Sequence, residues 1–443
     1  MRADGKIKIA LLLAIVLAVG VLGNPVISSN IEPQLLEDQN GFSTAYTPHA
    51  AIIIHSNTEM VARATTESWP GDGSAGNPYV ITGYYFYDTT HSLEIYDTSL
   101  YWVFTGNEVN GSGDPTVWCG IAIDNATNGI ISNNLFHNRY RGVWLDDVTN
   151  VNITGNIIQN NHLHGIECVG FINGCLISEN TVTRCEGAGI RSVIATDCII
   201  SDNVIYENDL SGIQVVGSST RCEINNNEIN LMGSMGIQLG PSTSVSIKHN
   251  QISNTSGAGM YLQGSDGIEI YNNTIEHCDD DGMKLTTCER GLVHENTITS
   301  CDGIGIYIVS GENSTFKLNH IEGVTEYGIK TGVAAMNMTI TRNAFINNGG
   351  TAQVYDDGEN NVYIYNYYDD WTSPDVDADQ IVDVPYVMDG DADNEDPYPL
   401  TESPTGTNPS GGESFSIPID VLLIVSGGVA LVIVMVVLVK KRC

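Results

Sequence analysis

One glycine recurs at almost constant spacing through the middle of this chain. Gly followed by an aliphatic residue or Met stands at Gly120, Gly142, Gly165, Gly189, Gly212, Gly236, Gly259, Gly282, Gly305 and Gly328. The intervals run from 22 to 24 residues. Fourteen or fifteen residues after each comes Asn-x-apolar, at Asn134, Asn156, Asn180, Asn203, Asn227, Asn250, Asn273, Asn296, Asn319 and Asn343. Asn107 and Asn366 extend that row in both directions. Such regularity signals a solenoid of stacked units, each unable to bury its apolar face alone.

Apolar and polar residues alternate around each Gly, as in Gly165-Ile166-Glu167-Cys168, and again around each Asn, as in Ile153 to Ile158. A period of two means strand. The connecting segments are Gly, Asn, Ser, Thr and Asp, which favour turns. Each unit therefore holds two or three short strands and no helix. A leucine-rich repeat has a similar period but wants Leu and a helical segment per unit. The chain instead predicts an all-β, right-handed single-stranded parallel β-helix of about 12 coils. The Asn row gains a structural task, pairing amides from coil to coil so that buried polar groups stay satisfied.

The ends suggest a compartment. Arg2, Lys6 and Lys8 precede an apolar run, so residues 1–23 read as a signal peptide. Residues 24–68 form an N-terminal segment and cap, in which a strand at Ala51–Ile54 precedes helical turns with Asn57 as N-cap. The β-helix occupies 69–368, followed by an acidic segment, 369–400, and a Pro/Gly/Ser/Thr stalk, 401–417. Residues 418–439 have the length and apolarity of a transmembrane helix, with a basic cytoplasmic tail at 440–443. The expectation is a type I membrane protein with a large extracellular body. Net charge is −35, with 53 acidic residues against 18 Lys and Arg, six of the latter at the two ends. That body excludes nucleic acid as a partner.

From Ala50 to Leu400 the sequence resembles the right-handed β-helix repeats of NosD-like and carbohydrate-binding/sugar-hydrolase (CASH) proteins. The resemblance rests on the Gly-Ile-x-Ile and Asn-x-Ile coils. The start, Trp69 to Ser74 with Asn77 to Ile81, is similar to that of archaeal cell-surface members. So is the exit, Asn366 to Trp371, Asp383 to Tyr386 and Asp396 to Leu400. It implies fold and surface location, not activity.

Many enzymes of that fold act on uronic-acid polymers. The best carboxylate cluster is Asp279-Asp280-Asp281 beside Lys284, with Asp302 one coil on. His164 lies five coils away, about 24 Å at 4.8 Å per coil, so His and acid cannot share one bond. A binding face has more behind it. The residue two after each repeat Gly points outward, giving the row Ala122, Trp144, Glu167, Arg191, Gln214, Gln238, Tyr261, Lys284, Tyr307 and Lys330. Of these Trp144, Arg191, Tyr261, Lys284, Tyr307 and Lys330 are the candidate carbohydrate-binding residues. A solvated face with a Glu167–Arg191 cross-strand pair is the plainer alternative.

Cys175, Cys198 and Cys222 stack in three successive coils, and Cys278 and Cys301 in two. Buried thiols account for the triple stack, and one Cys278–Cys301 bridge is compatible with export. The NosD resemblance would imply copper, but no His stacks with these Cys. Asp375, Asp377, Asp379 and Asp383 alternate as in Ca²⁺ loops, without an EF-hand's Gly and Glu. Seven Asn-x-Ser/Thr sequons occur, at Asn110, Asn125, Asn152, Asn254, Asn272, Asn313 and Asn337. The sequence thus points to a surface β-helix that binds polysaccharide or envelope polymers without catalysis, assisted by Ca²⁺. The alternatives are a polysaccharide lyase, hydrolase or epimerase at Asp279–Lys284, and a structural spacer.

Overall fold

In the computed structural model the described residues are 46–87, 90–112 and 118–405. The signal peptide, most of the stalk and the transmembrane segment lie outside them. Among the described residues no helix is long and apolar enough to cross a membrane.

The chain winds as a right-handed parallel β-helix. Three parallel sheets of 16, 13 and 14 strands run its length. Each coil contributes a strand to the first sheet, such as Arg141–Asp146, one to the second, Asn152–Thr154, and one to the third, Ile157–Gln159. The first sheet runs from Ile52–Ile54 to Val354–Asp356. Alternate side chains point inward, and Ile131, Ile153, Ile158, Ile166 and their counterparts are completely buried.

The repeat Gly is required by close approach, not by turn geometry. A Cβ at Gly165 would stand 2.3 Å from Val182 Cγ1 and 2.7 Å from the carbonyl oxygen of Gly189 one coil on. Gly236 meets Ile252 and Gly259 in the same way. The third-sheet aliphatic thus packs against bare backbone of the first-sheet strand.

The Asn row forms one continuous ladder at the corner between second and third sheets. Asn250 is typical. Its Nδ2 donates to Asn273 Oδ1 at 2.9 Å and to Ile224 O at 3.0 Å, while its Oδ1 accepts from the backbone and side-chain nitrogens of Asn227. The residue before each ladder Asn turns the corner in the left-handed region, for example Gly155, Asn226 and Glu295.

The ends depart from expectation in two places. The N-terminal helix, Asn57–Glu67, is capped by Ser56, whose hydroxyl accepts from Glu59 N, while Glu59 reaches back to His55 N. This is a variant of the capping box, with Glu59 accepting from the N–H one residue before the cap. Asn57 instead accepts from Thr98 Oγ1 and Ser99 N. Strands Thr47–Pro48 and Ile52–Ile54 already pair with the solenoid, so stacking starts well before residue 69. At the other end the acidic segment packs onto the last coil. Tyr386 stacks on Tyr368 at 3.7 Å and its hydroxyl accepts from Gln353 N. Asp396, fully buried, takes the next position in the ladder and accepts from Asn366 N and Nδ2.

Candidate functional site

The outward residues of the first sheet stand in strict register. Trp144 pairs with Ala122 and Glu167, Glu167 with Arg191, Arg191 with Gln214, and Gln214 with Gln238. Tyr261, Lys284, Tyr307 and Lys330 follow on successive coils, and Tyr355 closes the row. The six candidates therefore share one flat face, all half-buried.

Their environments differ. Glu167, 4% exposed, is clamped between Arg141 and Arg191, with Arg191 Nη1 at 2.6 Å. Arg191 is thus held in a structural pair. Trp144 has only the small Ala122 as register neighbour on one side. Gln214 donates to Gln238 at 2.7 Å. Lys284 pairs with Asp281 at 3.2 Å. Burial works against its ammonium, but the charge and hydrogen bond of Asp281 carry its pKa above the ordinary lysine value. Burial in turn raises Asp281 above the usual carboxylate value, although Ile304 N donates to it.

Tyr307 lies between two ammonium groups, Lys284 Nζ at 5.1 Å and Lys330 Nζ at 5.7 Å from its ring centre. Lys330 also approaches Tyr327 at 5.9 Å and Tyr355 at 4.6 Å. It forms no salt bridge among the described residues, whereas most cations of the body do. These cation–π contacts occupy the faces of Tyr307. At Tyr307 the row therefore presents a hydroxyl flanked by ammoniums in place of an open ring face for sugar stacking. The repeat pattern of the sequence marks neither Tyr327 nor Tyr355. Tyr327 precedes a repeat Gly instead of following it, and Tyr355 belongs to a coil where Gln353 replaces that Gly.

A second feature lies at the corner between third and first sheets. A polar groove of about 480 Å³ is lined by Asn254, Ser256, His277, Asp279, Ser300 and Asp302, among others. Asp279 and Asp302 occupy equivalent positions on adjacent coils, their amides donating to Thr255 O and Cys278 O. Asp281 is excluded from this groove by its burial against Lys284, and Asp280 does not line it. The structure thus divides the acidic triplet between two places.

Asp375, Asp377 and Asp379 bring one oxygen each within 4.8 Å of one another, the only such convergence of three ligand-type side chains among the described residues. Asp383 does not join them, because its Oδ2 accepts from Val376 N at 2.6 Å. Asp375 Oδ1 is enclosed without a hydrogen-bond partner. The Cys stack brings no three thiols to one point, which disfavours a copper centre. All nine described cysteines are free, Cys278 and Cys301 included. Burial pushes the Cys119 thiol up to about 12 and Cys185 to about 11, as expected of inert core thiols.

The family model described as "Right handed beta helix region" matches residues 91–239 and 211–368. The chain belongs to that family. No curated protein sequence matches this β-helix. Among solved structures it is similar to the Azotobacter vinelandii mannuronan C-5 epimerase AlgE4 A-module, at 12% identity and a TM-score of 0.43, covering 70% of this chain and 87% of that one. The periplasmic alginate epimerase AlgG is similar at 13% identity and TM-score 0.44, covering 71% and 83%. DFA-IIIase from Arthrobacter chlorophenolicus A6 gives 12% and 0.42, covering 67% and 81%. At these values the likeness concerns the winding of the chain alone.

Proposed function

We propose that this β-helix binds extended polysaccharides along its first sheet, without catalysis, as a membrane-anchored component of a cell surface. The supporting observation is the unbroken row from Trp144 to Tyr355, whose polar groups repeat at about the coil spacing of 4.8 Å. A straight polymer with hydroxyls at regular intervals meets such a face with many weak hydrogen bonds, which add up as multivalent contacts do. Kinship with NosD-like archaeal surface proteins and anchoring through residues 418–439 belong to the same proposal. So does Ca²⁺ at Asp375, Asp377 and Asp379, where three carboxylates and an enclosed, unpartnered oxygen offer hard ligands. Screening the protein on a polysaccharide array, with Ca²⁺ or with chelator, tests the reading. Retention without released sugar is expected, and no retention on any neutral or acidic polymer would reject it.

The groove at Asp279 and Asp302 favours a second reading, hydrolysis of a bound glycan. Carboxylates one coil apart stand near the roughly 5–5.5 Å separation of retaining glycosidases. Both carboxylates, however, are exposed to solvent, unlike the enclosed general acid that such hydrolysis employs. Release of reducing ends from the same array would put this reading first.

A further inference from the structure

The seven sequons are not equivalent in the folded chain. Four are engaged. Asn110 Nδ2 donates to Tyr85 Oη at 3.4 Å, Asn125 Nδ2 to Asp97 Oδ1 at 2.6 Å, and Asn254 Nδ2 to Asn230 Oδ1 at 2.8 Å. Asn152 is half-buried within a second-sheet strand, its Oδ1 accepting from Leu176 N. The other three are Asn272, Asn313 and Asn337. All three are exposed and sit at coil corners in the left-handed region, with φ of 52°, 57° and 54°. Their side chains hydrogen-bond to none of the described residues.

Their positions share a pattern. Asn313 and Asn337 occupy the same corner of adjacent coils, just before the second-sheet strands Thr315–Lys317 and Thr339–Thr341. Asn272 lies at the opposite corner, just after the second-sheet strand Glu269–Tyr271. The three flank the second sheet from both sides over neighbouring coils, and none stands on the first sheet.

The geometry points to Asn272, Asn313 and Asn337 as the N-glycosylated residues of this protein, rendering the second sheet a sugar-covered face and leaving the first sheet open. The inference rests on export of the chain. The donor is an oligosaccharide linked through phosphate to a lipid. Asparagine Nδ2 forms the bond to the anomeric carbon, the bond from that carbon to phosphate oxygen breaks, the lipid phosphate leaves, and Nδ2 gives up one proton. In the folded product a glycan on Asn110, Asn125 or Asn254 would leave Nδ2 a single N–H and would have to fit beside the partner that this amide already holds.

The test uses the full chain with a eukaryotic host's own secretion signal replacing residues 1–23. Export is then supplied independently of the chain's own leader. Folded protein recovered from the host surface is mapped peptide by peptide for glycan. Occupancy of Asn272, Asn313 and Asn337, with the other four sites bare, is expected. The triple variant Asn272→Gln, Asn313→Gln, Asn337→Gln should lose the entire electrophoretic shift that deglycosylation removes from the parent. Glycan confined to any of the four engaged sites, or none on surface-delivered protein, would overturn the inference. Because the peptide map is read on the parent chain, a triple variant that fails to fold does not affect the outcome.

Discussion

Removing one rung from the Asn ladder should cost far more than its size suggests. Asn250→Ala deletes five hydrogen bonds, three donated by Nδ2 and two accepted by Oδ1. Asn227 Nδ2 keeps two other acceptors, Ile200 O and Asn225 O. The Asn227 N–H loses its acceptor outright, and Ile224 O loses the amide donor. Asn250 and Asn227 are each within 1% of complete burial, so water cannot step in. One stranded buried donor, the Asn227 N–H, gives a loss of about 1–3 kcal/mol. Gln251→Ala on the exposed surface of the same coil should stay within about 0.5 kcal/mol. Urea unfolding followed by far-ultraviolet circular dichroism reads both, with midpoints compared at unchanged slope. Asn250→Asp is the sharper control. It keeps the acceptors but loses the donors, and sets a carboxylate against Asn273 Oδ1. It should be at least as destabilising as Asn250→Ala at pH 7, and partly rescued where the acid is protonated. A loss below about 1 kcal/mol for Asn250→Ala would refute the ladder's energetic role.

Four further outcomes are expected. Trp144→Ala and Tyr307→Ala should each weaken retention on the polymer that the array selects by roughly tenfold, the scale of one good contact, while the melting temperature moves little. Asp279→Asn with Asp302→Asn should leave retention intact, and any sugar release by the parent that the pair abolishes would establish the hydrolytic reading. Chelator should lower the melting temperature of the parent but not of an Asp375→Asn, Asp377→Asn variant, and equal sensitivity in both would remove Ca²⁺ from that segment. His164 supplies a pH signature. Burial depresses its pKa to about 4, and its Nδ1 accepts from Ala188 N, so the folded state holds it neutral. A folded pKa below the unfolded 6.5 means stability is complete above pH 6.5 and lost as pH falls toward 4, by about 3 kcal/mol in all. His164→Asn should flatten that slope in a pH series of unfolding midpoints.

What could be read in advance follows from what one period of two and one period of 23 together determine. The alternation says which side chain faces outward, and the coil repeat says which residue stands above it. The sequence alone therefore sets Trp144, Glu167 and Arg191 in register, and the Glu167–Arg191 pair with them. Arg141 escaped because it precedes the repeat Gly yet reaches over the same carboxylate. Ser56 and Asn57 are both good caps, and only the Glu59 three residues after Ser56 separates them.

The C-terminal cap is the instructive failure. A search by period cannot find Asp396, which follows Asn366 by 30 residues through an irregular segment. The chemistry of the ladder nevertheless demands something like it. Every Asn accepts from the coil before and donates to the coil after, so the last rung, Asn366, receives from Asn343 but has N–H groups left to place and no further Asn to accept them. An acceptor-only side chain meets that need where another Asn would leave its own amide stranded. Asp396 takes Asn366 N and Nδ2, Tyr365 N and Tyr398 N, at 2.9, 3.1, 3.2 and 3.0 Å. Burial raises its pKa nonetheless, and those hydrogen bonds act to keep it ionised. The acidic segment after residue 369 is therefore also the piece that ends the solenoid. Where a polar ladder has a direction, its terminus can be sought by donor and acceptor bookkeeping after the repeat itself has run out.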